Sequence, residues 1–122
     1  MFRFEKLEIW TESVDILDTI FDLADDLTDR KYFRFAEQLR SSVLSVSNNI
    51  AEGSGSTSIR DFQNFLNIAH RSVFETANMV IICSRRSLIT EAAKTALLEA
   101  LDHNARKINR FSASLIKSKP LP

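Results

Sequence analysis

The sequence predicts an all-α fold, an antiparallel, up-and-down bundle of four helices in a single domain spanning residues 1–122. Three observations carry this. Apolar residues recur at intervals of three and four almost everywhere along the chain. Only two glycines and two prolines punctuate 122 residues, and both prolines lie in the terminal "KPLP", beyond any element they would break. Short connections at 28–31, 53–58 and 86–90 separate four long segments, and short connections join antiparallel neighbours.

The first segment predicts a helix over about 8–27. Trp10, Val14, Leu17, Phe21 and Ala24 form its seam, and Ile9, Ile16, Ile20, Leu23 and Leu27 widen the apolar arc to nearly half the circumference. Glu8, Glu12, Asp15, Asp22, Asp26 and Asp29 fall on the other side. The second helix covers about 32–52, with a seam of Ala36, Leu39, Val43, Val46 and Ile50. Its serines and valines give it modest intrinsic propensity, so packing must hold it. The third helix covers about 59–85. Phe62, Leu66, Ala69, Val73 and Val80 line one face, Ile68, Met79 and Ile82 another, and "NMVIICS" is apolar nearly all round. Such a helix is either central or packed against another subunit. The fourth helix covers about 90–116, with Leu97, Leu101, Ile108, Phe111 and Leu115 inward, His103, Arg106, Arg110 and Lys117 outward, Thr90 as cap, and a tail at 117–122.

Net charge is formally zero but unevenly spread. Residues 1–29 carry nine acids against Arg3 and Lys6; the remainder carries seven acids against fourteen bases. Two readings stay open: complementarity within or between subunits, and a basic surface for nucleic acid. Cys83 is the only cysteine, which excludes an intrachain disulfide and, with no signal-peptide pattern, favours a cytoplasmic setting. "MVIIC" is far too short to cross a bilayer, so no membrane partner is expected.

The stretch "NNIAEGSGSTS" at 48–58 holds both glycines. Gly53 is placed to end the second helix in the left-handed region, where glycine lacks the Cβ penalty, and Gly55 gives the turn its remaining freedom. Ser58 reads as the N-cap of the third helix with Asp61 at N3, a shortened capping box. The alternative is anion capture by Ser54, Ser56, Thr57 and Ser58 at a helix start, but neither a Walker nor a dinucleotide pattern is present.

Little chemistry can be assembled from the rest. His70 and His103 lack metal spacing, and the paired Glu-x-x-His motifs of bundle metal sites do not occur. Cys83 reads as a small core hydrophobe. No nucleophile, base and orienter come together, so the reading is of a protein that is not an enzyme, with no cofactor, metal or small-molecule substrate. Phe65, Phe74 and Phe111 sit at helical spacing and read as core rather than base-stacking aromatics; Phe2 and Phe4 read as covers for an open bundle end. Arg85 and Arg86 end the third helix, where they favour its dipole. Arg34, Arg60, Arg106, Arg110 and Lys117 are the candidate nucleic-acid contacts; the last three would equally suit the acidic first helix of another copy.

"FEKLEIW" (Phe4, Leu7, Trp10), "QLRSSVLSVSNNIAEGSG" at 38–55, "DFQNFLNIA" at 61–69 and "SVFE" at 72–75 resemble the bacterial four-helix bundle family known as 23S ribosomal RNA intervening-sequence, or S23-type, proteins. The combination of Asn49, Ile50, Ala51, Glu52 and Gly53 with Gly55, Asp61, Phe62 and Phe65 carries the resemblance; the fourth helix resembles the family in pattern only. Ser56 stands where the family usually has arginine, which weakens a phosphate-binding reading of the turn. Arg71 stands where it often has glycine, which implies a looser helix contact or a side chain leaving through an interface.

The resemblance implies a left-handed bundle, ring-like homo-oligomers, often pentamers, and an unsettled molecular role. Some members of the family are encoded within insertions in ribosomal RNA genes. Related accessory proteins of diversity-generating retroelements are similar pentamers that bind a reverse transcriptase and nucleic acid, though they look more basic than this chain. No catalytic residue carries over. Asn49, Glu52, Gly53 and Gly55 carry over as motif positions of unassigned role. The sequence thus leaves two functions, a homo-oligomeric scaffold or protein-interaction module and an RNA- or DNA-binding accessory protein.

Overall fold

The computed structural model describes residues 1–115. A 3-10 turn, η1 (Arg3–Lys6), leads into α1 (Glu8–Asp29), α2 (Phe33–Ser54), α3 (Ile59–Arg85) and α4 (Glu91–Leu115). Consecutive helices pack as neighbours and α4 returns beside α1, which closes the four-helix arrangement. The predicted end of the fourth helix at 116 and the tail at 117–122 lie outside the described residues.

The core runs the length of the bundle. Ile20, Leu27, Leu39, Ile50, Phe62, Leu66, Leu101 and Ile108 are among its fully buried side chains. The predicted seams of α2 and α3 are buried in full, and on α4 Leu97, Leu101, Ile108 and Leu115 are buried with Phe111 half-buried. On α1 the deepest line is Ile9, Ile16, Ile20, Ala24 and Leu27, while the predicted seam residues Trp10, Val14, Leu17 and Phe21 are only half-buried. The reason is that α1 faces both α2 and α4, and its deepest line points between them.

The corners differ from the sequence reading. Neither glycine has positive φ; Lys31 (φ 68°) and Ser87 (φ 59°) do. Both follow helix ends of the Schellman type. After α1, the Tyr32 amide donates to the Leu27 carbonyl (2.8 Å) and the Lys31 amide to Thr28 (2.9 Å). After α3, the Leu88 amide donates to Cys83 (2.8 Å) and the Ser87 amide to Ser84 (2.9 Å), with Leu88 buried against the core. Arg30 joins the two corners by donating from Nη1 to the Leu88 carbonyl (3.0 Å).

Gly53 is not a helix terminator. It lies inside α2, fully helical and buried. A Cβ there would stand 2.7 Å from Phe65 Cβ and 2.8 Å from Phe62 Cδ1. Gly53 is therefore the point at which the end of α2 and the start of α3 approach too closely for a side chain. Gly55 caps α2 at φ −82°, ψ −3°, a conformation open to any residue. Ser58 caps α3 as predicted, accepting from the Asp61 amide (3.1 Å). The Asp61 carboxylate does not return the bond; it accepts the Ser56 hydroxyl instead. Thr90 caps α4 through the Ala93 amide (3.1 Å).

Two of the five aromatic assignments, those of Phe74 and Phe2, are overturned. Phe62 and Phe111 meet edge to face (5.6 Å between centroids), and Phe65 is half-buried. Phe74 is not core: it sits on the flank of α3 and is 63% exposed. Phe4 packs on Trp10 (5.0 Å), but Phe2, stacked on Phe4, is 72% exposed and covers nothing.

Candidate functional site

Two of the seams between helices carry polar clusters that the hydrophobic pattern does not account for. The first lies between α2 and α3, above the Gly53 contact. Thr76 Oγ1 is hydrogen-bonded to Ser42 Oγ (2.9 Å), and Ser45 Oγ to Ser72 Oγ (2.8 Å). Asn49 Nδ2 donates to the Ser45 carbonyl (2.7 Å) and to Ser45 Oγ (3.0 Å), and Ser72 Oγ donates to the Ile68 carbonyl (3.0 Å). Hydroxyl-bearing small residues let two helices approach closely while every buried hydroxyl keeps a partner. Asn49 thus bonds to Ser45 on its own helix, the residue whose hydroxyl reaches Ser72 on α3. Glu52, one turn on, is exposed and makes no side-chain hydrogen bond or ion pair among the described residues.

The second seam joins α1 to α4. Lys107 Nζ bridges Glu8 and Glu12 (2.9 Å to Glu12 Oε2), and His103 Nε2 lies 3.3 Å from the same Glu12 oxygen. Hydrogen bonding to Lys107, and then its charge, holds the Glu8 carboxyl below the usual range. The same two bonds push the Lys107 ammonium up. Asn104, 1% exposed, donates to the Ile9 carbonyl (3.3 Å). Its Oδ1 and Glu12 Oε1 are buried acceptors facing no donor among the described residues. Two hollows flank this clamp. The lower, about 460 Å³, is lined by Lys6, Leu7, Lys107, Arg110 and Phe111 among others; the upper, about 340 Å³, by Asp15, Leu23, Ala93, Ala96 and Ala100 among others.

The candidate nucleic-acid contacts do not form one patch. Arg34 opens α2 and Arg60 opens α3, at opposite ends of the bundle, roughly 30 Å apart by helix rise. Arg110 shares the lower end with Arg60, because Gln63 Nε2 donates to the Ser112 carbonyl (2.9 Å) across α3 and α4. Arg106 lies one turn above Arg110 and is paired with Asp102 (3.1 Å). Lys117 lies outside the described residues. Arg71 is exposed on the outer side of α3, so its bulk costs no helix contact. Cys83 is buried, and desolvation pushes its thiol up, which suits packing rather than attack. No group of three metal-binding side chains comes together among the described residues, and none of their helices is long and apolar enough to cross a membrane.

The family model for the 23S rRNA-intervening sequence protein matches residues 5–110. The chain belongs to that family. A crystal structure of a family protein, described as of unknown function from the S23 ribosomal protein family of Bacteroides thetaiotaomicron VPI-5482, is 27% identical in sequence with a TM-score of 0.75. The alignment covers 90% of this chain and 99% of that one. No curated protein matches the chain. The span matched by the intervening-sequence family takes in the Gly53 contact, the hydroxyl seam and the Lys107 clamp. Of these, sequence reasoning named Gly53 and Asn49 and missed Ser42, Thr76, Asn104 and Lys107. The signal for Lys107 was the acid pair Glu8 and Glu12, one helical turn apart, awaiting a cation from another helix.

Proposed function

We propose that this member of the intervening-sequence family is a non-enzymatic, homo-oligomeric helical-bundle module of the cytoplasm. It holds copies of itself, and through them a protein partner, in a fixed array. The supporting observation is the apolar surface that four packed helices leave uncovered. Phe33 (58% exposed), Ile68 (42%), Phe74 (63%) and Ile81 (41%) lie outside the core on α2 and α3. Isolated exposed apolar residues are ordinary; Phe74 and Ile81, seven residues apart, share one side of a helix that already supplies eight buried positions, and that pair calls for a covering surface. Native mass measurement at micromolar concentration tests this. A particle of several chains supports it, a pentamer being the state favoured by the family resemblance. A particle of 13.9 kDa refutes it.

A second reading, an accessory protein that contacts RNA or DNA, is favoured by the lower hollow. There Lys6 and Arg110 carry no ion pair among the described residues, and Phe111 lines the wall. Retention of single-stranded ribosomal RNA at low salt, with a salt dependence that flattens in Lys6→Glu/Arg110→Glu, supports it. No retention at low salt removes it.

A further inference from the structure

The exposed flank of α3 and the upper hollow between α1 and α4 match in length and in charge. Phe74 and Ile81 are seven residues apart, so they share one side of α3 about 10 Å apart along its axis. The hollow runs from Asp15 to Leu23 on α1 and from Ala93 to Ala100 on α4, roughly 10–12 Å. Its α4 wall is Ala93, Ala96, Leu97 and Ala100, and the three alanines leave room for large side chains from outside.

The charges bracketing the two features are opposite. Arg71 and Arg85 stand before Phe74 and after Ile81, both without an ion pair among the described residues. Asp15, Asp22 and Asp29 repeat every seven residues on the outer side of α1, equally without one. Arg71 to Arg85 and Asp15 to Asp29 each cover fourteen residues, so both charge rows are about 21 Å long. Of the other three exposed acids on this stretch of α1, Asp25 and Asp26 are held by Arg40 and Arg30, and Asp18, between Asp15 and Asp22, is without an ion pair among the described residues.

We infer that a second copy of this chain occupies the hollow. Phe74 and Ile81 of one copy seat between α1 and α4 of the next, and the arginine row of α3 lies along the aspartate row of α1. The inference rests on the homo-oligomer reading above and specifies its joint. The two surfaces differ, so the contact is heterologous. They also lie on neighbouring sides of the bundle. Phe74 lines a hollow with Leu98 and Ala105 on the α4 side of α3, and the receiving hollow is on the α1 side of α4. A joint of this kind turns each successive copy the same way, and the copies close into a ring where that rotation closes.

Two variants at exposed positions separate the halves of the joint. Phe74→Glu removes the inserted side chain, and Ala96→Arg fills the receiving hollow and repels the arginine row. Each full-length variant, with far-ultraviolet circular dichroism unchanged to show the helices intact, is expected at 13.9 kDa by native mass spectrometry. An equimolar mixture is expected at twice that mass, because one intact joint remains between a Phe74→Glu copy and an Ala96→Arg copy. Variants that keep the wild-type mass, or single-chain variants that do not pair on mixing, overturn the inference while leaving the homo-oligomer reading standing. A wild-type protein that is itself a single chain overturns both.

Discussion

Replacing Gly53 with alanine sets two effects of opposite sign against each other. In a helix interior, alanine is favoured over glycine by about 0.5–1 kcal/mol. Against this, the new methyl carbon would stand 2.7 Å from Phe65 Cβ and 2.8 Å from Phe62 Cδ1, where carbon atoms at rest prefer about 3.5–4.0 Å. Phe65 Cβ is fixed to its backbone and cannot swing aside, so α2 and α3 must part by roughly an ångström at this level. Overpacking of this kind costs about 1–3 kcal/mol and outweighs the propensity gain at most of that range. The expected net loss is about 1–2 kcal/mol, or about 4–8 °C in Tm for a chain of this length. Thermal and urea unfolding followed by circular dichroism measure it. Gly55→Ala is the control: its Cβ meets only the Glu52 carbonyl at 3.4 Å, so it should be neutral or mildly stabilising. A Gly53→Ala protein as stable as the parent, or more stable, would refute the close-approach reasoning.

Other outcomes follow from the same structure. Lys31→Gly and Ser87→Gly should each stabilise by up to about 1 kcal/mol in urea unfolding, because both residues hold the left-handed conformation that costs a side chain. Asn49→Ala should destabilise by about 1 kcal/mol through loss of its bonds to Ser45, whereas Glu52→Ala should leave unfolding within about 0.5 kcal/mol, so a Glu52 effect on assembly or partner binding would mark function. Lys107→Met should lower stability with a defined pH profile. Glu8 is held below its usual 4.5, so its share of the clamp is present above that pH and lost as pH falls through the lowered value. Lys107 is held above its usual 10.5, so its share is complete below that pH and lost as pH rises through the raised value. The difference between wild type and variant should therefore be level between about pH 5 and 10 and should shrink at lower pH in acid titrations of unfolding.

The four helices were legible because their buried faces recur at helical spacing, and every predicted end within the described residues falls within a few residues of the observed one. What lay outside that signal was misread for identifiable reasons. A glycine three residues past Ile50 looks the same whether a helix stops there or another helix crosses there, and only the position of Phe62 and Phe65 in space decides. The left-handed corners fell to Lys31 and Ser87, residue types that carry no such preference. Phe74 follows a core residue, Val73, and shares its helical spacing with buried positions, yet it points to the flank. The hydroxyls of Ser42, Ser45, Ser72 and Thr76 register in the sequence as weak helix formers, although in the bundle they supply hydrogen bonds between α2 and α3. Lys107 finds Glu8 and Glu12 across 99 and 95 residues of chain, a distance no local pattern encodes.

Whether another copy of the chain covers the apolar flank of α3 is decided by the native mass of the full-length wild-type protein at micromolar concentration. A closed assembly of several 13.9 kDa chains is expected. A single chain at that concentration would leave Phe74 and Ile81 bare in solution and would overturn the proposal that the bundle works as an assembled module.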